Sequence, residues 1–245
     1  MYKYLENYKE CLQNKHKDYQ FRDGLSLSFN ERNSATHVFS EIFIGECYPI
    51  NKSIEEGKVI IDIGANIGFF TIYALIKIPY SQIIAVEANP NNFKVLEENI
   101  INNNLNNNVK IFNNVVTSNK NQQPFYLSNN PGWSSIYNKR GAKNGERIYL
   151  KPITLSGLFK KNNLKIIDLL KIDIEGAEYD ILLNDNFLDN YVVKELFVEI
   201  DKNPRDKKYK YHQIINLLKN HYISIKVINH EGEYPLIHCK DYIIK

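Results

Sequence analysis

From Lys58 onward, short runs rich in Val and Ile alternate with longer stretches whose apolar residues fall three and four apart. The runs Val59–Ile63, Gln82–Val86, Val109–Phe112, Ile166–Ile172, Glu195–Ile200, Tyr222–Ile228 and Pro235–Ile244 predict strands. Helical spacing marks Ile67–Ile78, Pro90–Ile101, Ala177–Leu183 and Tyr209–Asn220. Nearly continuous apolar strands separated by helices predict an α/β fold. Its sheet is seven-stranded, mostly parallel, doubly wound and covered on both faces. His230–Glu233 is too short for a crossover helix, so the last two strands form an antiparallel hairpin.

Residues 1–57 read as an extension ahead of the Rossmann-like domain, which spans 58–245. Met1, Leu5, Tyr8 and Leu12 lie on one stripe and predict a helix to about Gln20. A turn at Phe21–Gly24 and a short strand with Leu25, Leu27 and Phe29 come next. Val38, Phe39, Ile42 and Phe43 predict a helix over Ala35–Ile44, stopped by Gly45. No chemistry is legible in this extension. One connection inside the domain, about 115–161, is too long for a simple crossover. It contains Phe125-Tyr126-Leu127 and NNPGWSSIYNKRG, and its position suits substrate-binding elements.

The length of 245 residues fits one large domain, and 43% apolar residues suffice for a core. A net charge of +3 is too small to argue for nucleic acid, and the tyrosines form no stacking platform. The N-terminal MYKYLENYKE is too polar for a signal peptide, and no apolar run approaches the roughly 20 residues of a membrane span. Cys11, Cys47 and Cys239 lie far apart and read as free thiols in a reducing cytoplasm. The six histidines show no ligand spacing. His37 and His212 read as ordinary helix residues.

The chemistry starts at VIIDIGANIGFF, residues 59–70. Gly64 and Gly68 frame Ala65 and Asn66 between a strand and a helix, with Asn66 the expected N-cap. Such a loop lets a nucleotide-like ligand approach the backbone; alternatively it is a tight turn with no ligand. Glu87 ends the next strand about 20 residues on, where a carboxylate accepts both ribose hydroxyls. Ala88 and Asn89 follow, and Pro90 opens a helix. Asp62 precedes the first glycine, a place where pyrophosphate would be repelled and an ammonium welcomed. S-adenosyl-L-methionine carries a ribose, an adenine and an ammonium, so it fits Asp62 and Glu87 together. An NAD-dependent dehydrogenase or epimerase is the competing enzyme reading. Asp62 and the missing middle glycine of GxGxxG speak against it.

The blocks IIDIGANIGFFTIYA, IAVEANPNNFKVLEENI and DLLKIDIEGAEYDIL, with the lead-in EIFIGECYPI, resemble the FkbM-type S-adenosylmethionine-dependent methyltransferases. The resemblance runs from about Glu41 to Asp201. It implies a class I methyltransferase fold and O-methylation of a hydroxyl on a sugar, glycolipid or polyketide. This chain reads Glu199-Ile200-Asp201 where the family often reads E-I-H. A noncatalytic module that keeps the methyltransferase fold is a further alternative, and the intact cofactor blocks argue against it.

Methyl transfer needs an aligned acceptor and a group that takes its proton. Lys171 and Asp173 share one face of the fourth strand by the period of two, and Glu175 and Glu199 sit at neighbouring strand ends. These four are the catalytic candidates, with Asp173 also beside the cofactor. Alternatively Lys171 only neutralises Asp173, Asp62 or Glu199. Asp173, Glu199 and Asp201 form a minority candidate set for a hard cation, although no metal is the main expectation. Glu178 reads as a solvated or helix-dipole charge. Asn114 and Val115, within Asn113–Val116, are placed at the adenine edge. Trp133, Ser134 and Ser135 are placed on the acceptor, a small molecule or glycan; alternatively Trp133 anchors the loop.

Overall fold

A computed structural model describes residues 18–22, 24–29, 32–50, 56–128, 134–137, 147–204, 206–228 and 233–244. Strands β1 (Asp18–Gln20) and β2 (Ser26–Ser28) pair antiparallel, and helix α1 (Arg32–Phe39) follows. Next come β3 (Val59–Ile63), α2 (Phe69–Lys77), β4 (Gln82–Val86), α3 (Pro90–Asn102) and β5 (Val109–Phe112). The long connection carries β6 (Val115–Val116), β7 (Gln123–Tyr126), β8 (Arg147–Leu150), β9 (Pro152–Ile153) and α4 (Leu155–Lys161). The chain ends with β10 (Ile166–Ile172), α5 (Glu178–Asn184), α6 (Phe187–Asn190), β11 (Val192–Glu199), α7 (Tyr211–Lys219), β12 (Tyr222–Ile228) and β13 (Leu236–Tyr242).

The seven-stranded sheet has the order β12-β13-β11-β10-β3-β4-β5. Strands β11, β10, β3, β4 and β5 run parallel, and β13 is antiparallel to both β11 and β12. The expected hairpin therefore forms, and its second strand inserts next to β11 while β12 takes the edge. Successive strand residues alternate between two cores, as the pleat requires. Ile60, Ile83, Leu169 and Phe197 join the core under α2 and α3. Ile61, Ile84, Leu170 and Val198 join the opposite core under α4, α5 and α7.

Three local expectations are corrected. The helix expected from Met1 falls on residues 1–17, outside the described residues, up to the point where Asp18–Gln20 is a strand. Helix α1 begins at Arg32 and continues as a π-helical turn, Ser40–Ile44, which the Gly45 N–H closes onto the Ser40 carbonyl at 2.8 Å. The wider turn buries both Ile42 and Phe43. Asn66 is not an N-cap. It adopts φ 52°, and Gly68, at φ 99°, occupies the cap of α2 without a side-chain bond. In the long connection α4 does form, because Thr154 caps it by accepting the Gly157 N–H at 2.9 Å.

The extension is part of the main core. Tyr19 stacks on Phe39 at 4.3 Å between ring centroids, Phe39 stacks on Phe43 at 4.6 Å, and Phe43 meets Tyr73 of α2 edge-on.

Candidate active site

The chain reverses its direction of travel across the sheet between β3 and β10, and ligands of open α/β sheets sit beyond the strand ends at such a switch point. A cavity of about 850 Å³ opens there, within the usual range for small-molecule sites.

Gly64 forms its floor. The residue has φ 79°, and a Cβ added to it would lie 1.8 Å from the Asp173 carbonyl oxygen. The loop after β3 is thus pressed against the end of β10, and only glycine permits that approach. The Gly64 and Ala65 N–H groups both donate to the Val86 carbonyl, at 2.9 and 3.0 Å, which ties the loop to β4 as well.

Lys171 sits below this loop. Its Nζ donates to the Gly64 carbonyl at 2.8 Å and lies 3.3 Å from Asp62 Oδ1 and 3.4 Å from Asp173 Oδ2. Asp62 Oδ1 has this ion pair but no well-directed hydrogen bond, while its Oδ2 accepts the Thr71 hydroxyl at 2.7 Å. Burial pulls the Lys171 ammonium down, and the two carboxylates more than offset it, so the net shift is upward. Asp62 is fully buried and does not line the cavity. Its ammonium partner in the structure is Lys171, on the adjacent strand, one of the pairings the alternative reading of Lys171 named.

Glu87 directly follows β4 and does line the cavity. Its Oε2 accepts the Asn66 N–H at 2.8 Å and its Oε1 the Asn89 N–H at 2.7 Å. Burial pushes its carboxyl up to about 7, against the pull of those two N–H groups. Asn66 and Ala88 line the cavity beside it. Asn89 caps α3 through the Asn91 N–H and donates to Ser134, and neither Asn89 nor Gly68 lines the cavity. Asn114, Val115 and Val116 form the wall beyond β5, while Asn113 holds the Glu87 and Ala88 carbonyls.

The acids that follow β10 and end β11 border the cavity on its other side: Asp173, Glu175 and Glu199. Glu199 is pushed up to about 9 by burial and by the nearby Asp173, Glu175 and Glu178 carboxylates. Glu178, expected to be a solvated or helix-dipole charge, is buried in the first turn of α5. Its Oε1 accepts the Ile174 and Gly176 N–H groups, both at 3.0 Å, because the turn after β10 folds back over the start of α5. Burial lifts its carboxyl to about 7. Asp201 lies outside the main cavity, and its Oδ1 accepts the Asn203 N–H at 2.7 Å. Among the described residues no three His, Cys, Asp or Glu side chains come together closely enough to hold a metal ion.

Ser134 lines the cavity, and Ser135 braces the site by donating to the Glu175 carbonyl at 2.8 Å. Trp133 lies outside the described residues. His37 and His212 are exposed helix residues, and His37 stands 3.2 Å from Glu41. Cys47 and Cys239 are free thiols.

Sequence reasoning missed the wall contributed by the extension: Val38, Ile42, Cys47 and Tyr48 all line the cavity. Tyr48 packs edge-on against Phe70 and Phe197, at 5.0 and 5.5 Å between centroids, and its hydroxyl reaches Asp173 Oδ2 at 3.5 Å. The block EIFIGECYPI marked this segment, but nothing local ties Tyr48 to a carboxylate 125 residues away.

The family model of the methyltransferase FkbM domain matches residues 62–223. The chain is 29% identical over 188 residues to methyltransferase sdnD of Sordaria araneosa, covering 65% of this chain and 72% of that protein. It is 29% identical over 179 residues to methyltransferase 1 of Beauveria bassiana, covering 64% and 72%. The crystal structure of methyltransferase FkbM from Methylobacillus flagellatus aligns with a TM-score of 0.51 at 12% identity, covering 82% of this chain and 47% of that one. This last likeness concerns the fold.

Proposed function

The chain belongs to the FkbM methyltransferase family and uses S-adenosyl-L-methionine, and on that premise we propose that it methylates a hydroxyl of a sugar, glycan or glycolipid precursor. The residues at the strand ends suit the cofactor. Glu87 offers a buried carboxylate whose oxygens keep lone pairs for a ribose diol, and Val115 and Val116 offer an apolar wall for adenine. Gly64 to Asn66 bring bare backbone to the cavity between them. When bound, the cofactor supplies a methyl group already activated by its sulfonium charge.

The remaining need is a group that receives the acceptor's proton, and the reading rests on Asp173. Its Oδ2 is held by Lys171 at 3.4 Å and by Tyr48 at 3.5 Å, and its Oδ1 has no hydrogen-bond partner among the described residues. A carboxylate fixed at one oxygen and open at the other, at the cavity edge, suits a hydroxyl acceptor. Lys171 and Tyr48 position Asp173, and Glu175 and Glu199 complete the acidic side of the cavity. Ser134, which lines the cavity, is assigned to the acceptor, and Trp133 is assigned to it from the sequence alone. The small net charge supports a small acceptor over nucleic acid. Free thiols at Cys47 and Cys239 support a cytoplasmic site of action. Among the described residues no helix is long and apolar enough to cross a membrane.

Transfer of labelled methyl from the cofactor to a panel of free sugars and glycolipid precursors tests this reading. Asp173→Asn should keep S-adenosylhomocysteine binding and lose transfer by about 10²–10⁴, the usual cost of losing a general base. Methyl recovered only on nitrogen, sulfur or carbon would overturn it.

A further inference from the structure

A small second cavity, about 10 Å³, opens beside the main one. That is room for about one water-sized group. Its walls are Asp173, Glu175, Gly176, Glu178, Glu199, Asp201 and Tyr234, so five side chains are carboxylic acids and none is basic. Asp173, Glu175, Glu199 and Tyr234 also line the main cavity, which makes the small one its side arm.

Two further observations point to a guest. Glu178 is 2% exposed, and its Oε2 is buried with no hydrogen-bond partner among the described residues, although the side chain borders the side arm. A buried carboxylate oxygen left without a donor is costly, so a donor at this place is favoured. Among the described residues no three of these acids form a metal-holding group, which leaves a hydrogen-bonding cation as the better match. An ammonium works at hydrogen-bond distances of about 2.7–2.9 Å and has three donors to share. It is also close to water in size.

We propose that the methyl acceptor is an amino alcohol of the amino-sugar class, whose protonated amine seats in this acidic side arm among Glu175, Glu178 and Glu199 while its hydroxyl faces Asp173. The inference deepens the proposed function and rests on it. It makes the acceptor pocket selective by charge: phosphorylated and carboxylated sugars meet an acidic wall, and a neutral sugar brings it no counter-charge. The Tyr234 ring, lining both spaces, adds an aromatic surface at the junction.

Calorimetry on the full chain saturated with S-adenosylhomocysteine tests the seat directly, with glucosamine, N-acetylglucosamine and glucose as probes. Glucosamine should bind at least tenfold more tightly than the other two, and Glu199→Gln should abolish that preference while S-adenosylhomocysteine still binds. Glu175→Gln should weaken it likewise. Glucosamine binding that is absent, or no tighter than glucose, overturns the proposal. A transfer assay on the same samples separates the two readings. Methyl transfer to neutral sugars without amine preference leaves the hydroxyl-methylation reading standing and removes the ammonium seat. Glu199-dependent glucosamine binding with no methyl on any sugar hydroxyl does the reverse.

Discussion

Lys171 Nζ lies 3.3 Å from Asp62 Oδ1 across a register in which the two residues are direct partners of β10 and β3. Both are buried, and the same ammonium carries Asp173 and the Gly64 carbonyl. One cation therefore anchors the loop after β3, a core carboxylate and the carboxylate we propose at the acceptor.

Lys171→Met removes the partner of a fully buried carboxylate. Urea denaturation should show a loss of about 3–5 kcal/mol, the usual cost of breaking a buried pair from one side. The double variant Lys171→Met/Asp62→Asn should lose less than the sum of the two single changes. Additive losses would mean that the two side chains do not act as a pair.

Gly64→Ala places a Cβ against the Asp173 carbonyl, 1.8 Å away, at a φ of 79°. The left-handed backbone costs about 1–3 kcal/mol and overpacking a further 1–3 kcal/mol. The melting temperature should fall, and S-adenosylhomocysteine affinity should fall with it. A variant that melts and binds like the parent would contradict the close approach of β3 and β10.

Glu87, Glu178 and Glu199 set a pH dependence. Burial comes first in raising each of them, to about 7, 7 and 9 against an ordinary value of 4.5. The folded chain therefore holds more protons than the unfolded one across this window. The stability these groups contribute is complete below about pH 4.5 and is lost as pH rises through about 7 and then 9. Unfolding free energy of the cofactor-free protein should decline from pH 5 to 9. Glu199→Gln should flatten the alkaline part of that decline, and an unchanged slope would remove Glu199 from it.

Phe39→Ala tests whether the extension folds with the sheet. Phe39 is fully buried between Tyr19 and Phe43. Its truncation should cost about 3–5 kcal/mol in a single cooperative transition. A cost below about 1 kcal/mol would show that the segment is not part of the main core.

The strands were legible because their signal is local. Val59–Ile63, Gln82–Val86, Val109–Phe112, Ile166–Ile172 and Tyr222–Ile228 form over the residues whose apolar runs predicted them. The period of two also placed Lys171 and Asp173 on one face, and the spacing from Gly64 to Glu87 brought both to one cavity. Those relations need only backbone geometry along a strand and a short loop.

Tertiary structure decided the remainder, because it depends on pairs far apart in the chain. No local pattern says that β13 inserts between β11 and β12, since either strand of a hairpin can take the inner place. Nor does one say that Asp62 spends its charge on Lys171, 109 residues later, or that Glu178 turns inward onto the Ile174 and Gly176 N–H groups. Tyr48 reaches Asp173 only because aromatic packing of Phe39, Phe43 and Tyr73 folds the extension onto α2. Sequence determined which polar residues stand at the strand ends. Packing between distant segments decided which of them are buried, which are paired, and which are left facing the cavity.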